Sequence, residues 1–217
     1  MKVDVVIPFQ NRSYSNSLWS VMNQSYPDID VHLIGYTGKW NVSRARNRGI
    51  KEAKGEITIV IDADIIMEKE VVNTLVQMHL ADPQAYITAQ VRMLLEDVKM
   101  PEDYDKLEQI WKGWSLGFGG LFSAPTEWWV KVRGFDERRD CLLLEDVDMR
   151  ERAQMDDRNC KFLNRMELHR DWVHVYHEKH PNSFMQLTKK QVEDLARRRW
   201  SFRKIEKTVV VNPESWG

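Results

Sequence analysis

Cysteine is scarce in this 217-residue chain. Only Cys141 and Cys160 occur, with neither the close spacing of a metal knuckle nor the density of a disulfide framework, so two free thiols in a reducing compartment are expected. A surplus of one charge is lacking too: 32 basic against 33 acidic residues leave a formal net charge of −1. Nucleic-acid binding, which shows as a basic excess, is therefore not expected. No apolar run approaches the roughly 20 residues needed to span a bilayer, and Lys2 leads into Val3, Asp4 and Val5 without a secretory apolar stretch. A cytoplasmic location is the resulting expectation. Repeats and low-complexity linkers are also missing, which leaves one globular domain. What is plentiful is tryptophan, nine in all, mostly core by expectation but also suited to sugar or partner surfaces.

The opening VDVVIPF reads as a buried strand ending at Pro8. A helix should follow, with Leu18, Val21 and Met22 on one face, and then a short strand from Val31 to Ile34. Asn41 can cap a helix through NVSRARNRGIKEAKG, with Ala45, Ile50 and Ala53 inward and Gly55 as the stop. ITIVID is the next strand. This strand–helix–strand–helix–strand order predicts a parallel sheet covered on both faces, with ligands at the carboxyl ends of its strands. A helix over Glu68–Leu80 and a strand over Tyr86–Met93 come next. Residues Glu96–Glu108, with six acids against two bases, predict a solvated loop or a short exposed helix. GFGGLFSA predicts a strand whose glycines permit close approach, and Pro125 can start a helix carrying Trp128 and Trp129. The body is expected over residues 1–180. Residues 181–217 form a basic amphipathic helix and tail, which can pack on the body or contact a membrane surface peripherally.

Asp-x-Asp occurs four times, at Asp28/Asp30, Asp62/Asp64, Asp103/Asp105 and Asp146/Asp148. Only Asp62/Asp64 ends a strongly apolar strand, where two carboxylates can hold a hard divalent cation, although a simple strand-terminal turn also favours Asp. Ser43, Arg44, Arg46, Asn47 and Arg48 stand near the start of the helix that feeds this strand. Arginine forks and helix N-terminal amides suit phosphate oxygens. Arg44 and Arg48 share a face, Arg46 points elsewhere, and at least one of these arginines should be solvated. In DWVHVYHEKHP, His174, His177 and His180 recur every three residues. The flanking Val173, Val175 and Tyr176 suggest a strand, in which residues three apart face opposite ways, so one ion cannot take all three without a turn. Trp111 and Trp114 fit either the inner face of a short helix or a platform for sugar rings.

VDVVIPFQNR, SRARNRGIKEAKGEITIVIDADI and VRGFDERRDCLLLEDVDMRERA, in that order, resemble the glycosyltransferases of the GT-A fold. The likeness is greatest to family 2 and to the related galactosyltransferase-like C-terminal module, and it spans about residues 3 to 180. It implies an α/β, Rossmann-like single domain with a central, mostly parallel sheet flanked by helices. By the resemblance, Pro8, Phe9, Asn11, Arg12, Tyr36, Ser43, Arg44, Asn47, Asp62 and Ala63 would meet a nucleotide-sugar donor. Asp62 and Asp64 would bind Mn²⁺ or Mg²⁺, completed by His177 or, as second choice, His174. Asp146 would be the catalytic base and Glu145 its partner at the acceptor, a glycan or other hydroxyl compound that Trp111, Trp114 and Gly120 also face.

The implied activity is metal-dependent, inverting transfer from a nucleotide-sugar, with a UDP-sugar favoured. HLIGYTGK departs from the family by lacking the usual aspartate after the second strand, where Tyr36 could stack on a base instead. Two alternatives remain. A nucleotidyltransferase would open with a glycine-rich loop, which does not follow Val6 or Ile7; a non-catalytic nucleotide-sugar or glycan-binding protein would keep the fold without the base.

Overall fold

The computed structural model describes residues 1–38, 41–114, 119–138, 145–163, 173–178 and 208–217. Its centre is a six-stranded sheet built from β1 (Val3–Phe9), β2 (Ile29–Gly35), β3 (Ile57–Ile61), β5 (Ala85–Thr88), β8 (Leu121–Pro125) and β9 (Asn159–Phe162), in the order β2-β1-β3-β8-β5-β9. The first three strands pair in parallel, as do β5 and β9. β8 runs antiparallel between β3 and β5. Mostly parallel is thus correct as a description, with one reversed strand at the centre. The apolar run of β8 carries no information about its direction, which follows from the chain entering from a second sheet.

That sheet has four strands, β4 (Ile65–Met67), β6 (Arg92–Leu94), β7 (Trp111–Trp114) and β10 (Val175–His177), in the order β4-β10-β6-β7. The single strand expected over Tyr86–Met93 is in fact two, β5 and β6, one in each sheet. β7 likewise replaces the helical alternative for Trp111 and Trp114.

Among the described residues, five helices cover the sheets: α1 (Ser15–Met22), α2 (Val42–Glu52), α3 (Val71–Ala81), α4 (Thr126–Lys131) and α5 (Glu145–Met155). Side chains alternate across a strand, so the central sheet divides its core in two. Val3, Val5, Ile7, Ile57, Ile59 and Ile61 pack with Val21 of α1 and Val71, Val72, Leu75 and Val76 of α3. Val6, Ile34, Val60 and Phe122 turn the other way, onto Ile50 of α2, Trp128 and Trp129 of α4, and Met149 and Ala153 of α5. Both faces are covered, which is why the strands read as continuous apolar runs.

Local signals set the helix limits. Asn41 caps α2, its side chain accepting from the Arg44 amide at 2.9 Å. The helix ends differently from expectation: Ala53 takes an extended conformation (φ −64°, ψ 139°), and Gly55 is required by crowding instead. A Cβ there would lie 2.6 Å from Asp4 Oδ2 and 2.7 Å from the Lys2 carbonyl. Met22, expected inward, is 68% exposed at the end of α1. The acidic stretch ends in a short 3₁₀ helix, Tyr104–Gln109, that buries Leu107. Residues 208–217 fold back on the body, where Asn212 donates to the Arg133 and Phe135 carbonyls and Trp216 joins the second core. The basic stretch 187–207, together with Cys141 and His180, lies outside the described residues. No helix among the described residues is long and apolar enough to cross a membrane.

Candidate active site

β3 delivers Asp62 to the carboxyl end of the central sheet, and a tight turn holds it there. Its amide donates to the Gly120 carbonyl at 2.9 Å and its carbonyl accepts from Ile65 at 3.0 Å. Ala63 is buried within the turn, its carbonyl taking the Ser17 hydroxyl at 2.7 Å. The Asp62 carboxylate meets Arg46 Nη2 at 2.6 Å, and Nη1 of the same guanidinium donates to Glu145 Oε1 at 3.2 Å. Arg46 is 2% exposed and sits between the rings of Phe122 and Phe135, 4.9 Å from each centroid. Burial opposes its charge, yet Asp62 and Glu145 outweigh that and hold its pKa above the ordinary value. One locked cation therefore ties the Asp-x-Asp turn to the start of α5.

Glu145 and Asp146 occupy the first turn of α5, where the helix dipole favours acids. Asp146 Oδ1 accepts from the Val147 amide at 2.7 Å. Its other oxygen faces Gly119, where a Cβ would stand only 3.2 Å away. Burial, and then the neighbouring Glu145, push the Asp146 carboxyl up to about 6. Asp62 also titrates above its usual range, because of burial first and Asp64 next among the groups that raise it.

Asp64 Oδ2 pairs with Arg12 and lies 3.6 Å from His177 Nε2. The other ring nitrogen, Nδ1, donates to the Glu178 carbonyl at 2.6 Å, and the Glu178 amide donates to the Asp64 carbonyl at 2.9 Å. That network assigns the Nε2 lone pair toward Asp64. An imidazole fixed by a carbonyl behind it and facing a carboxylate is the donor arrangement of a metal ligand. Asp64 and His177 thus offer two ligands of the kind a divalent ion takes. Glu178 adds a third acid, held by Asn16 and raised in pKa chiefly by burial.

His174 is elsewhere. Just before β10 and three residues from His177, about 10 Å at strand rise, it reaches Glu68 and Glu108 at the opposite end of β4. Its amide donates to Glu68 Oε2 at 2.6 Å, and the ligand atoms of Glu68, Glu108 and His174 lie within 4.8 Å of one another. Arg92 pairs with Glu108, and the Tyr176 hydroxyl meets both acids. A cleft of about 310 Å³ adjoins this group, lined by Glu68, Tyr104, Leu107, Glu108, Val173 and Tyr176.

The remaining candidates divide by position. Pro8 and Phe9 end β1, with the Phe9 ring 4.3 Å from that of Tyr14. The Tyr36 amide donates to the Phe9 carbonyl at 3.0 Å, and the Tyr36 side chain pairs with the half-exposed Arg44, which also lies 3.4 Å from Glu137. Asn11 is exposed with a left-handed backbone (φ 52°). Ser43 is fully buried. Asn47 spends its amide on the Phe135 backbone and on Glu137, pinning the loop before α5. Trp111 covers the Arg92 guanidinium at 4.4 Å, and Trp114 pairs with Arg92 in the β6–β7 ladder. Arg46, Asn16 and Glu178 are the site residues that sequence reasoning missed. For Arg46 a signal existed: it falls between Val42 and Ile50 at helical spacing, and all three are buried. A charged residue on the apolar face of a helix announces a buried partner.

Comparison with known proteins agrees with this layout. The model of the family described as glycosyl transferase family 2 matches residues 23–118, a span that holds β2, α2, β3 and the Asp-x-Asp turn. It stops short of Glu145 and Asp146 and does not extend to the galactosyltransferase-like module. No curated protein matches the chain.

Proposed function

We propose, for a chain whose residues 23–118 match the model of glycosyl transferase family 2, that it moves a sugar from a nucleotide-sugar, a UDP-sugar by preference, to a hydroxyl of a glycan or other acceptor, with inversion and with Mn²⁺ or Mg²⁺. One contact supports this most: the Arg46 fork, which brings Asp62 and Glu145 to a single site. Two acidic motifs more than 80 residues apart in sequence would have no reason to share a buried cation unless they served one reaction centre.

The acceptor hydroxyl must lose its proton as it attacks the anomeric carbon, and Asp146 is the base. Its carboxyl, near 6, is ionised at neutral pH yet close enough to it to hold a proton in transit, a contribution typically worth about 10²–10⁴-fold. Glu145, fixed by Arg46, orients the acceptor, with Gly120 on that side, whereas Trp111 lies over Arg92 beside the Glu68, Glu108 and His174 group and away from it. Asp64 and His177, with Asp62, would hold the ion, which when bound neutralises the charge of the departing diphosphate. Arg44 and Arg12 stand on the nucleotide side, where Phe9 and Tyr36 offer ring faces for the base. A cytoplasmic setting suits the use of nucleotide-sugars, and residues 187–207 would supply any peripheral membrane contact.

A thermal-shift panel of UDP, GDP, CMP and dTDP, each with and without Mn²⁺, tests the reading. Stabilisation by UDP only when Mn²⁺ is present is expected. No shift with any nucleotide in Mn²⁺ overturns it.

A further inference from the structure

The two acids of the Asp-x-Asp turn are paired with arginines of opposite character. Arg46, on Asp62, is 2% exposed, clamped between two rings and committed to Glu145 as well. Arg12, on Asp64, keeps 38% of its side chain exposed and comes from the loop between β1 and α1. Arg12 and His177 converge on the same oxygen, Asp64 Oδ2. A guanidinium and a divalent ion compete for that oxygen, because their like charges would lie within a few ångströms at an almost buried carboxylate.

We propose that Arg12 is an exchangeable counterion. It occupies Asp64 while the metal is absent, gives way when the ion arrives, and turns its fork onto the diphosphate of the incoming donor. The inference rests on the metal-dependent reading above and adds to it an order of events and a residue that carries them. Three observations support the exchange. The loop bearing Arg12 follows the carboxyl end of β1, beside Phe9 and Tyr36, on the side where an open α/β sheet takes its nucleotide. A freed guanidinium there matches phosphate oxygens two at a time. Among the described residues, Asp62, Asp64, Glu145, Asp146 and Glu178 outnumber the guanidinium groups of Arg12 and Arg46, so a dication can replace Arg12 without leaving the turn over-neutralised.

The consequence is a pair of effects of opposite sign from one substitution. Arg12→Gln removes the competitor, so Mn²⁺ alone, followed by calorimetry or by the electron paramagnetic resonance of the free ion, should bind about 10-fold more tightly than to the wild type. The same variant should bind UDP in saturating Mn²⁺ about 10-fold more weakly. Arg12→Lys keeps the charge and should restore wild-type Mn²⁺ affinity while only partly restoring UDP binding, since an ammonium lacks the fork. Circular dichroism confirms that both variants fold. If the wild type binds Mn²⁺ and Arg12→Gln binds it no more tightly, the exchange is refuted and the metal site stands. If neither protein binds Mn²⁺, the metal-dependent reading itself fails and the exchange falls with it.

Discussion

Two clusters of carboxylate and histidine stand at opposite ends of the strand pair β4 and β10. At one end are Asp64 and His177 with Asp62, Glu145, Asp146 and Glu178 nearby; at the other are Glu68, Glu108 and His174. By residue type alone the second is the tidier metal site, and it also borders the larger of the two described clefts. The difference lies in how charge is balanced. Glu108 is paired with Arg92, Tyr176 offers its hydroxyl to both acids, and the His174 amide serves Glu68. That cluster satisfies its acids with partners of its own, one guanidinium, a hydroxyl and an amide, and joins β4, β6 and β10 to the 3₁₀ helix. Among the described residues the first sets five acids against the guanidinium groups of Arg46 and Arg12, one of them locked and the other part-exposed, and its Asp146 carboxyl is raised by burial. A deficit of positive charge at a strand end is what a cation and a diphosphate together can fill.

The sharpest way to break this comparison is to remove the base. Asp146→Asn should lower turnover by about 10²–10⁴-fold while Mn²⁺-dependent nucleotide binding survives, measured by donor hydrolysis or transfer alongside thermal shift. In the wild type, the base must be ionised, so kcat/KM should fall as pH drops through about 6. Stability moves the other way. The folded carboxyl titrates near 6 against an ordinary 3.8, so its contribution is present below the unfolded value and is lost as pH rises from about 4 through about 6. Asn removes that cost, and the variant should melt higher at pH 8, by about 1–2 kcal/mol after discounting for a side chain that is not fully enclosed, or roughly 2–6 °C. A drop in both turnover and melting temperature would point to a structural role for Asp146.

Exchanging the histidines separates the two ends directly. His177→Ala should raise the Mn²⁺ concentration for half-maximal activity about 10-fold or more. His174→Ala should leave it unchanged and lower stability instead, because His174 is buried against Arg92 and Tyr176. Equal effects on Mn²⁺ dependence would show that the clusters act as one. Tyr176→Phe has the smaller, purely structural effect: without the hydroxyl, Glu68 and Glu108 lose a shared donor, at a cost of about 1–3 kcal/mol in chemical unfolding with kcat intact.

The ends differ, too, in how far the sequence foretells them. The strand runs VDVVIPF and ITIVID and the Asn41 cap are local signals, and β1, β3 and α2 appear where those signals put them. The opposed faces of His174 and His177 follow from strand periodicity and are found at two separate sites. Pairing direction is another matter, since an apolar strand such as β8 fits a sheet either way up, and the break between β5 and β6 depends on which sheet each half joins. Arg46 was hidden for a different reason: the arginines were weighed by their suitability for phosphate, which favours exposed forks, whereas its partners Asp62 and Glu145 are brought to it only by the fold. Asn47 likewise has partners that only the fold supplies, its amide serving the Phe135 loop. The docking of Asn212 and Trp216 had no sequence signal beyond an isolated polar and an isolated aromatic residue.

The mildest perturbation probes the contact between the base and the chain opposite it. Gly119 precedes Gly120, whose carbonyl takes the Asp62 amide, so residue 119 adjoins both halves of the site. A methyl group there would stand 3.2 Å from Asp146 Oδ2 and 3.8 Å from its Cβ. That is tight enough to require a displacement of a few tenths of an ångström, yet no core packing is disturbed. Gly119→Ala should therefore leave the melting temperature near that of the wild type and the Mn²⁺ dependence unaltered, because Asp64 and His177 are untouched. The methyl also shields the carboxylate further from water, which favours its protonated form. Turnover at pH 7 should fall severalfold, and the acid limb of the pH profile should move upward from about 6. A fall in turnover without that movement would mean that the methyl obstructs the acceptor and does not act through the base.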